Sequence, residues 1–314
     1  MKKAIKLLSA IMIFSLILNG QEHNQTTDSK REVLNGHTFQ SLSHFKTSFI
    51  STHLKAHIGF GSTPVLKIKG IFIDEIEILA FEGKVAFVDV GVQYQQRFTP
   101  WLAMYLNGTM AGRIGTDLST IVADGVNTLT GFRIGWLIRI KQSKKLNLSA
   151  NIHVANVTGN FMNVSQYIDD LINENPNASL TKKIPTMVLD IGLNGAYAFN
   201  PTWGIQFFGD FAYGESFERG RSQGYYSIGI SGEVDFKPKY NIPVGLALGY
   251  VTTTDPESIS ADSGRSNIFL GKIGYSASKE FELGLQFSYF DVNLRSVEQE
   301  TYVSKAMLML KFFF

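Results

Sequence analysis

Over most of the chain after residue 84, apolar side chains fall at every second position. The last thirteen residues set Tyr302, Ser304, Ala306, Leu308, Leu310, Phe312 and Phe314 against Val303, Lys305, Met307, Met309, Lys311 and Phe313. Successive side chains of a strand point to opposite faces, so this run predicts a strand with one apolar face and one face that carries two lysines. Residues 281–289 repeat the pattern, with Glu282, Gly284, Gln286 and Ser288 on the polar side. Val88, Val90, Val92 and Tyr94 oppose Asp89, Gly91, Gln93 and Gln95, and Phe132, Ile134, Trp136, Ile138 and Ile140 oppose Arg133, Gly135, Arg139 and Lys141.

The same reading along the chain predicts twelve strands, near 66–78, 84–98, 101–113, 131–141, 145–157, 186–199, 203–214, 225–237, 243–254, 266–277, 280–292 and 302–314. Their connections alternate in length. Short turns such as Thr99-Pro100, 142–144 and 200–202 alternate with long loops at 114–130, 158–185, 215–224, 255–265 and 293–301. Strands of this length exceed the usual five or six residues and suit the roughly 9–11 tilted residues that cross a bilayer. Aromatics gather where strands meet short turns, at Phe98, Trp101, Phe199, Trp203, Phe236, Tyr240 and Phe281. Tyr and Trp favour a membrane interface because each ring has an apolar body and a polar end. The predicted fold is therefore all-β: an antiparallel up-and-down transmembrane barrel of about twelve strands, with short periplasmic turns and long external loops. A soluble sandwich would also alternate, but its outer faces would be polar.

Before residue 84 the pattern weakens. Within 66–78 Ile71 and Ile73 share one face and Ile76 and Ile78 the other, so either a bulge absorbs the slip or residues 49–60 supply the first strand. Residues 21–45 are polar and aperiodic and read as a flexible periplasmic arm. Met1, Lys2, Lys3 and Lys6 followed by an apolar run over 7–18 read as a cleaved signal peptide, too short for a spanning helix. The expected division is a signal peptide at 1–20, an arm at 21–62 and a barrel at 63–314. Helical spacing occurs in two loops, near 117–123 and at 165–173, where a short helix could act as a lid or merely cap the barrel mouth.

The terminal run Tyr302 to Phe314, an alternating strand closing on an aromatic, resembles outer-membrane β-barrel proteins of Gram-negative bacteria as a class. That resemblance implies residence in the outer membrane, contact with its lipid and recognition by the barrel insertion machinery. Gly- and Tyr-rich strands such as 88–96 are also loosely similar to channels for hydrophobic or aromatic compounds.

Composition narrows the chemistry. No cysteine is present, which excludes disulfides, thiol catalysis and thiolate metal sites. A net charge of +2 gives no electrostatic case for a nucleic-acid partner. The alternation turns Asp89, Arg97, Arg133, Arg139, Asp190, Asp210, Glu233, Lys272, Glu282, Lys305 and Lys311 into the lumen. Opposed charges there can pair and close the lumen or set the preference of a pore, and Arg133 and Arg139 against Asp190 and Asp210 are the pairs expected. His153 shares a face with Ser149 and Asn151, a suggestive trio that reads better as polar filling than as a hydrolase site. His53 and His57, four apart, could offer two metal ligands but no third is in view. The expected function is passive passage of small solutes, hydrophobic or aromatic compounds among them, with no catalysis and no cofactor. A closed structural or surface-binding barrel is the alternative.

Overall fold

A computed structural model describes residues 31–73, 76–114, 125–162, 164–217, 222–254, 265–292 and 301–314. The signal peptide and the loop helix expected near 117–123 lie outside the described residues. In chain order the strands are β1 (Val33–Leu34), β2 (His37–Thr38), β3 (His53–Ser62), β4 (Leu66–Ile73), β5 (Ile76–Gly83), β6 (Ala86–Thr99), β7 (Leu102–Ile114) and β8 (Gly125–Gln142). Then follow β9 (Leu146–Met162), β10 (Thr181–Ala198), β11 (Trp203–Glu215), β12 (Ser222–Asp235), β13 (Val244–Thr253), β14 (Ser266–Tyr275), β15 (Phe281–Val292) and β16 (Thr301–Phe313). Helices α1 (Val164–Ile172) and α2 (Lys237–Tyr240) interrupt two connections, α1 at the site the sequence indicates.

Twelve strands, β3 and β6 to β16, form one closed antiparallel barrel. Every neighbour is the next barrel strand in sequence, and β16 closes the ring against β3 in the register Phe313↔His53 to Ser304↔Ser62. Closure leaves no strand edge unpaired, a condition for a sheet exposed to lipid. Side chains alternate strictly: along β10, Met187, Leu189, Ile191 and Leu193 are exposed while Val188, Asp190 and Asn194 are buried. The outward residues form an apolar surface that water would disfavour and hydrocarbon accepts. Trp101, Phe199, Trp203 and Tyr240 are exposed at the short turns, as an interfacial aromatic girdle requires.

Leu248, midway along β13, is 73% exposed on this surface. We expect Leu248→Arg to cost about 2–4 kcal/mol, the range for arginine near the midplane of a lipid-facing barrel wall. Urea unfolding in detergent or lipid, followed by gel mobility, should show the loss.

Two expectations are corrected. Residues 66–78 are not the first barrel strand: β4 and β5 form a separate two-stranded hairpin with register irregularities between Ile68 and Phe72. The slipped alternation marks a segment that never had to keep one face in lipid. The first barrel strand is β3, so the barrel begins before residue 63, and residues 31–52 are no loose arm. Val33–Leu34 pairs with His37–Thr38 around Asn35-Gly36, both at positive φ (49° and 81°), the conformation a two-residue hairpin turn requires. The chain then runs as a tongue into the barrel, where Phe39, Leu42, Phe45, Phe49 and Ile50 are all buried.

The tongue is possible because of the strand number. Eight strands enclose a space that their own side chains fill; twelve leave room for more chain. Glycines on the inner wall widen that room locally. A Cβ at Gly204 would strike His37, and one at Gly245 or Gly274 would strike the side chain of Gln40.

Candidate functional site

The tongue contributes two kinds of contact. Its apolar side chains dock on separate patches of the wall: Phe39 and Phe49 against Ala196 and Ala198, Ile50 against Ala103 and Leu137, and Leu42 and Phe45 against Phe208, Ala247, Val251 and Ile268. The Phe45 and Phe208 rings meet edge to face at 5.1 Å. Each such side chain, fully buried, contributes on the order of 1.5–3 kcal/mol. The rest is polar. Glu233 accepts from the Gln40 amide at 2.7 Å, Glu282 from the Ser41 amide at 2.8 Å and Gln286 from the Ser43 amide at 2.9 Å. Asn147 and Ser149 donate to the Ser48 carbonyl at 2.7 and 2.6 Å, and Gln95 donates to the Phe49 and Ser51 carbonyls at 2.9 Å each. The inward polar side chains of the strands thus satisfy a backbone that has no sheet of its own, which is what a non-helical segment in a desolvated lumen demands.

The charges form three groups. At the tip, Lys46 Nζ lies 3.0 Å from Asp190 and 3.0 Å from Asp210. Toward the long loops, Asp89 is held by His57 and Lys305, both at 2.7 Å. Lower down, Lys272 pairs with Glu282, and Lys311 with Glu32 at 2.7 Å. Of the residues predicted to face the lumen, Asp190, Asp210, Glu233, Lys272, Glu282, Lys305 and Lys311 are buried, Asp89, Arg133 and Arg139 are half-buried, and Arg97 is exposed next to the irregular end of β6. Asp190 and Asp210 share the cation Lys46 from the tongue, a partner the strands alone did not suggest. Among the residues not anticipated are Glu32, Lys46 and Lys55, all in the stretch read as an arm or its continuation. The local signal that this stretch is ordered is the Asn35-Gly36 turn.

Burial pushes the fully buried His37 below its ordinary value, and in the half-buried His44 desolvation of the ring, with Lys305 nearby, pushes that value to about 3. The two histidine pairings that the sequence suggests lie too far apart to act together. Four residues along a strand separate His153 from Ser149, and likewise His53 from His57, a distance of roughly 13 Å. Ser149 is in addition committed to the Ser48 carbonyl. Among the described residues no three His, Asp or Glu side chains gather so as to hold a metal ion.

Above the tip, on the long-loop side, the lumen holds a cavity of about 250 Å³. Ser43 to Thr47 line its floor; its walls carry Asp89, Tyr105, Arg133, His153, Asp190, Asn194, Phe208, Ile268, Phe290 and Lys305, among others.

No family model and no curated protein matches the chain. Solved structures do. An outer-membrane channel from Pseudomonas putida F1 superposes with a TM-score of 0.50 at 10% identity, over 88% of this chain and 100% of that one. The chain has an outer-membrane barrel fold. The barrel is also similar to the NanC porin (TM-score 0.48, 6% identity, 83% of this chain and 100% of that one). For the TodX monoaromatic hydrocarbon channel the values are 0.46 and 11%, over 84% of this chain and 90% of that one.

Proposed function

We propose that the protein is an outer-membrane channel for passive passage of small solutes, closed in the present state by residues 31–52 of its own chain. The observation that supports this is the way the lumen is filled. The twelve-stranded wall encloses more space than its side chains occupy, and what fills it is a separate segment that runs into the first barrel strand at His53. Beside its apolar contacts, that segment is tethered by ion pairs and side-chain-to-backbone hydrogen bonds. Water can replace such contacts one by one as the segment leaves. The wall behind it is charged and mixed in sign, suited to a wetted passage. No covalent step enters this reading, and the non-enzymatic expectation belongs with it.

The same filling favours a second reading, a permanently closed barrel that acts through its external loops. Removing residues 31–50 separates the two. The shortened chain, shown to be folded by heat-modifiable gel migration, should give stepwise conductance in a planar bilayer at least several-fold above that of the full chain. A folded, silent barrel would sink the channel reading and leave the closed one.

A further inference from the structure

The cavity above the tongue tip is divided by chemistry. One wall is apolar: Phe45 and Phe208, with Val251, Ile268 and Phe290, belong to a single buried cluster. The opposite wall, from β7 to β10, is polar. Tyr105, 9% exposed, and Asn194, fully buried, line the cavity with a hydroxyl and two amide atoms that have no hydrogen-bond partner; His44 Nε2 and Gln95 Oε1 elsewhere on the lining also lack one, whereas His153 Nδ1 lies 3.2 Å from Asp190. Buried polar atoms are paired in the great majority of cases, so an unpaired set beside a cavity points to something that pairs with it. The wall makes room for this arrangement. Tyr105 and His153 lie across Gly135, where a Cβ would collide with both.

The charged lining is already committed. Lys46 is held by Asp190 and Asp210, and Lys305 by Asp89. Four basic side chains (Lys46, Lys55, Arg133, Lys305) face three acidic ones (Asp89, Asp190, Asp210), so the cavity has little net preference for an ion. On the wall from β7 to β10 the unpaired groups are a hydroxyl, donor and acceptor, and a carboxamide, donor and acceptor. They suit a neutral oxygen function. The volume of about 250 Å³ exceeds the ~150 Å³ that holds benzene in an apolar protein cavity.

We propose that this cavity is a binding site for a small uncharged amphiphile, a ring or short chain bearing one hydroxyl or carbonyl. Its apolar body rests on Phe45, Phe208, Ile268 and Phe290, and its oxygen bonds to Tyr105 and Asn194. An apolar pocket with a few convergent polar groups is the usual form of a small-molecule site. As the stopping point of a solute on its way through, the site rests on the channel reading; as a binding site it can be tested without it.

The test is calorimetric titration of the folded full-length chain in detergent micelles, against a micelle blank. The probes are cyclohexanol, methylcyclohexane and cyclohexanecarboxylate. Cyclohexanol should bind saturably, and more tightly than the carboxylate. Tyr105→Phe removes one hydroxyl and keeps the ring, so it should weaken cyclohexanol about fivefold to tenfold, the effect of one neutral hydrogen bond. It should leave methylcyclohexane unchanged. Equal cyclohexanol affinity in the variant would mean that water satisfies Tyr105, and would overturn the proposal. So would tighter binding of the carboxylate, or no saturable binding of the alcohol. Conductance of the chain lacking residues 31–50 reads separately: a silent barrel with cyclohexanol bound to the full chain removes the passage and keeps the site, and the converse removes the site alone.

Discussion

Lys46→Ala should raise the open fraction of the barrel in planar bilayers, seen as more frequent conducting events at unchanged unit conductance. Lys46 is the tip of the tongue and the cation for two carboxylates at once, each at 3.0 Å. Without it, Asp190 and Asp210 remain, two charges on adjacent strands, with Asn151 donating to Asp210 at 3.0 Å. Removing one side of a buried pair costs about 3–5 kcal/mol because the other charge stays behind. Lys46 retains a quarter of its side-chain exposure, so water softens the loss, and about 2 kcal/mol is the reasonable figure here. That corresponds to roughly a thirtyfold shift in the docked-to-undocked ratio. The replacement acts on the docked state alone, since with the tongue withdrawn both carboxylates are hydrated in wild type and variant alike. Unchanged gating in Lys46→Ala would show that the apolar contacts of Leu42 and Phe45 hold the tongue by themselves.

The largest effect on stability is expected at Lys272→Met. The Lys272 side chain has no solvent exposure, and it donates to the Ser41 carbonyl at 2.7 Å as well as pairing with Glu282. Glu282 in turn accepts from the amide and hydroxyl of Ser41. Methionine keeps the volume and removes the charge, leaving Glu282 buried beside an unsatisfied carbonyl. A loss of about 3–5 kcal/mol is expected, read from the urea midpoint of the refolded barrel. The double variant Lys272→Met with Glu282→Leu should recover much of it, because replacing both partners removes the stranded charge. If the single variant is as stable as wild type, the pair is solvated in ways its burial does not show.

The barrel was legible because membrane strands obey one rule over a long span. A lipid face and a lumen face force alternation, and a single residue out of phase would put a charge such as Lys311 or Asp190 into hydrocarbon. The alternating loop lengths follow from the same geometry. What lay inside was harder to see. A tongue that docks Phe39, Leu42, Phe45 and Phe49 on different walls needs neither period 2 nor period 3.6, so its apolar residues look scattered among polar ones. Only its Asn35-Gly36 turn is a local signal. The alternation gives the inner face on which Asp190, Asp210 and Lys272 are buried, yet it says nothing of a partner that comes from outside the strands, as Lys46 does for Asp190. The glycines at 204, 245 and 274 hold a clue of another sort: inward positions without side chains imply that something else occupies the space.

The tongue reaches nearly the whole circumference. Arg31 donates to the Tyr275 and Ser278 carbonyls, Glu32 ties to β16, Gln40 to β11 and β12, Ser48 to β9 and Phe49 to β6. These contacts radiate like spokes from one segment to a ring of strands. A cylinder braced in this way resists being squashed into an ellipse by lateral pressure from the bilayer. On the channel reading, withdrawing the tongue would change the mechanics of the wall along with its bore, leaving the emptied barrel the softer one.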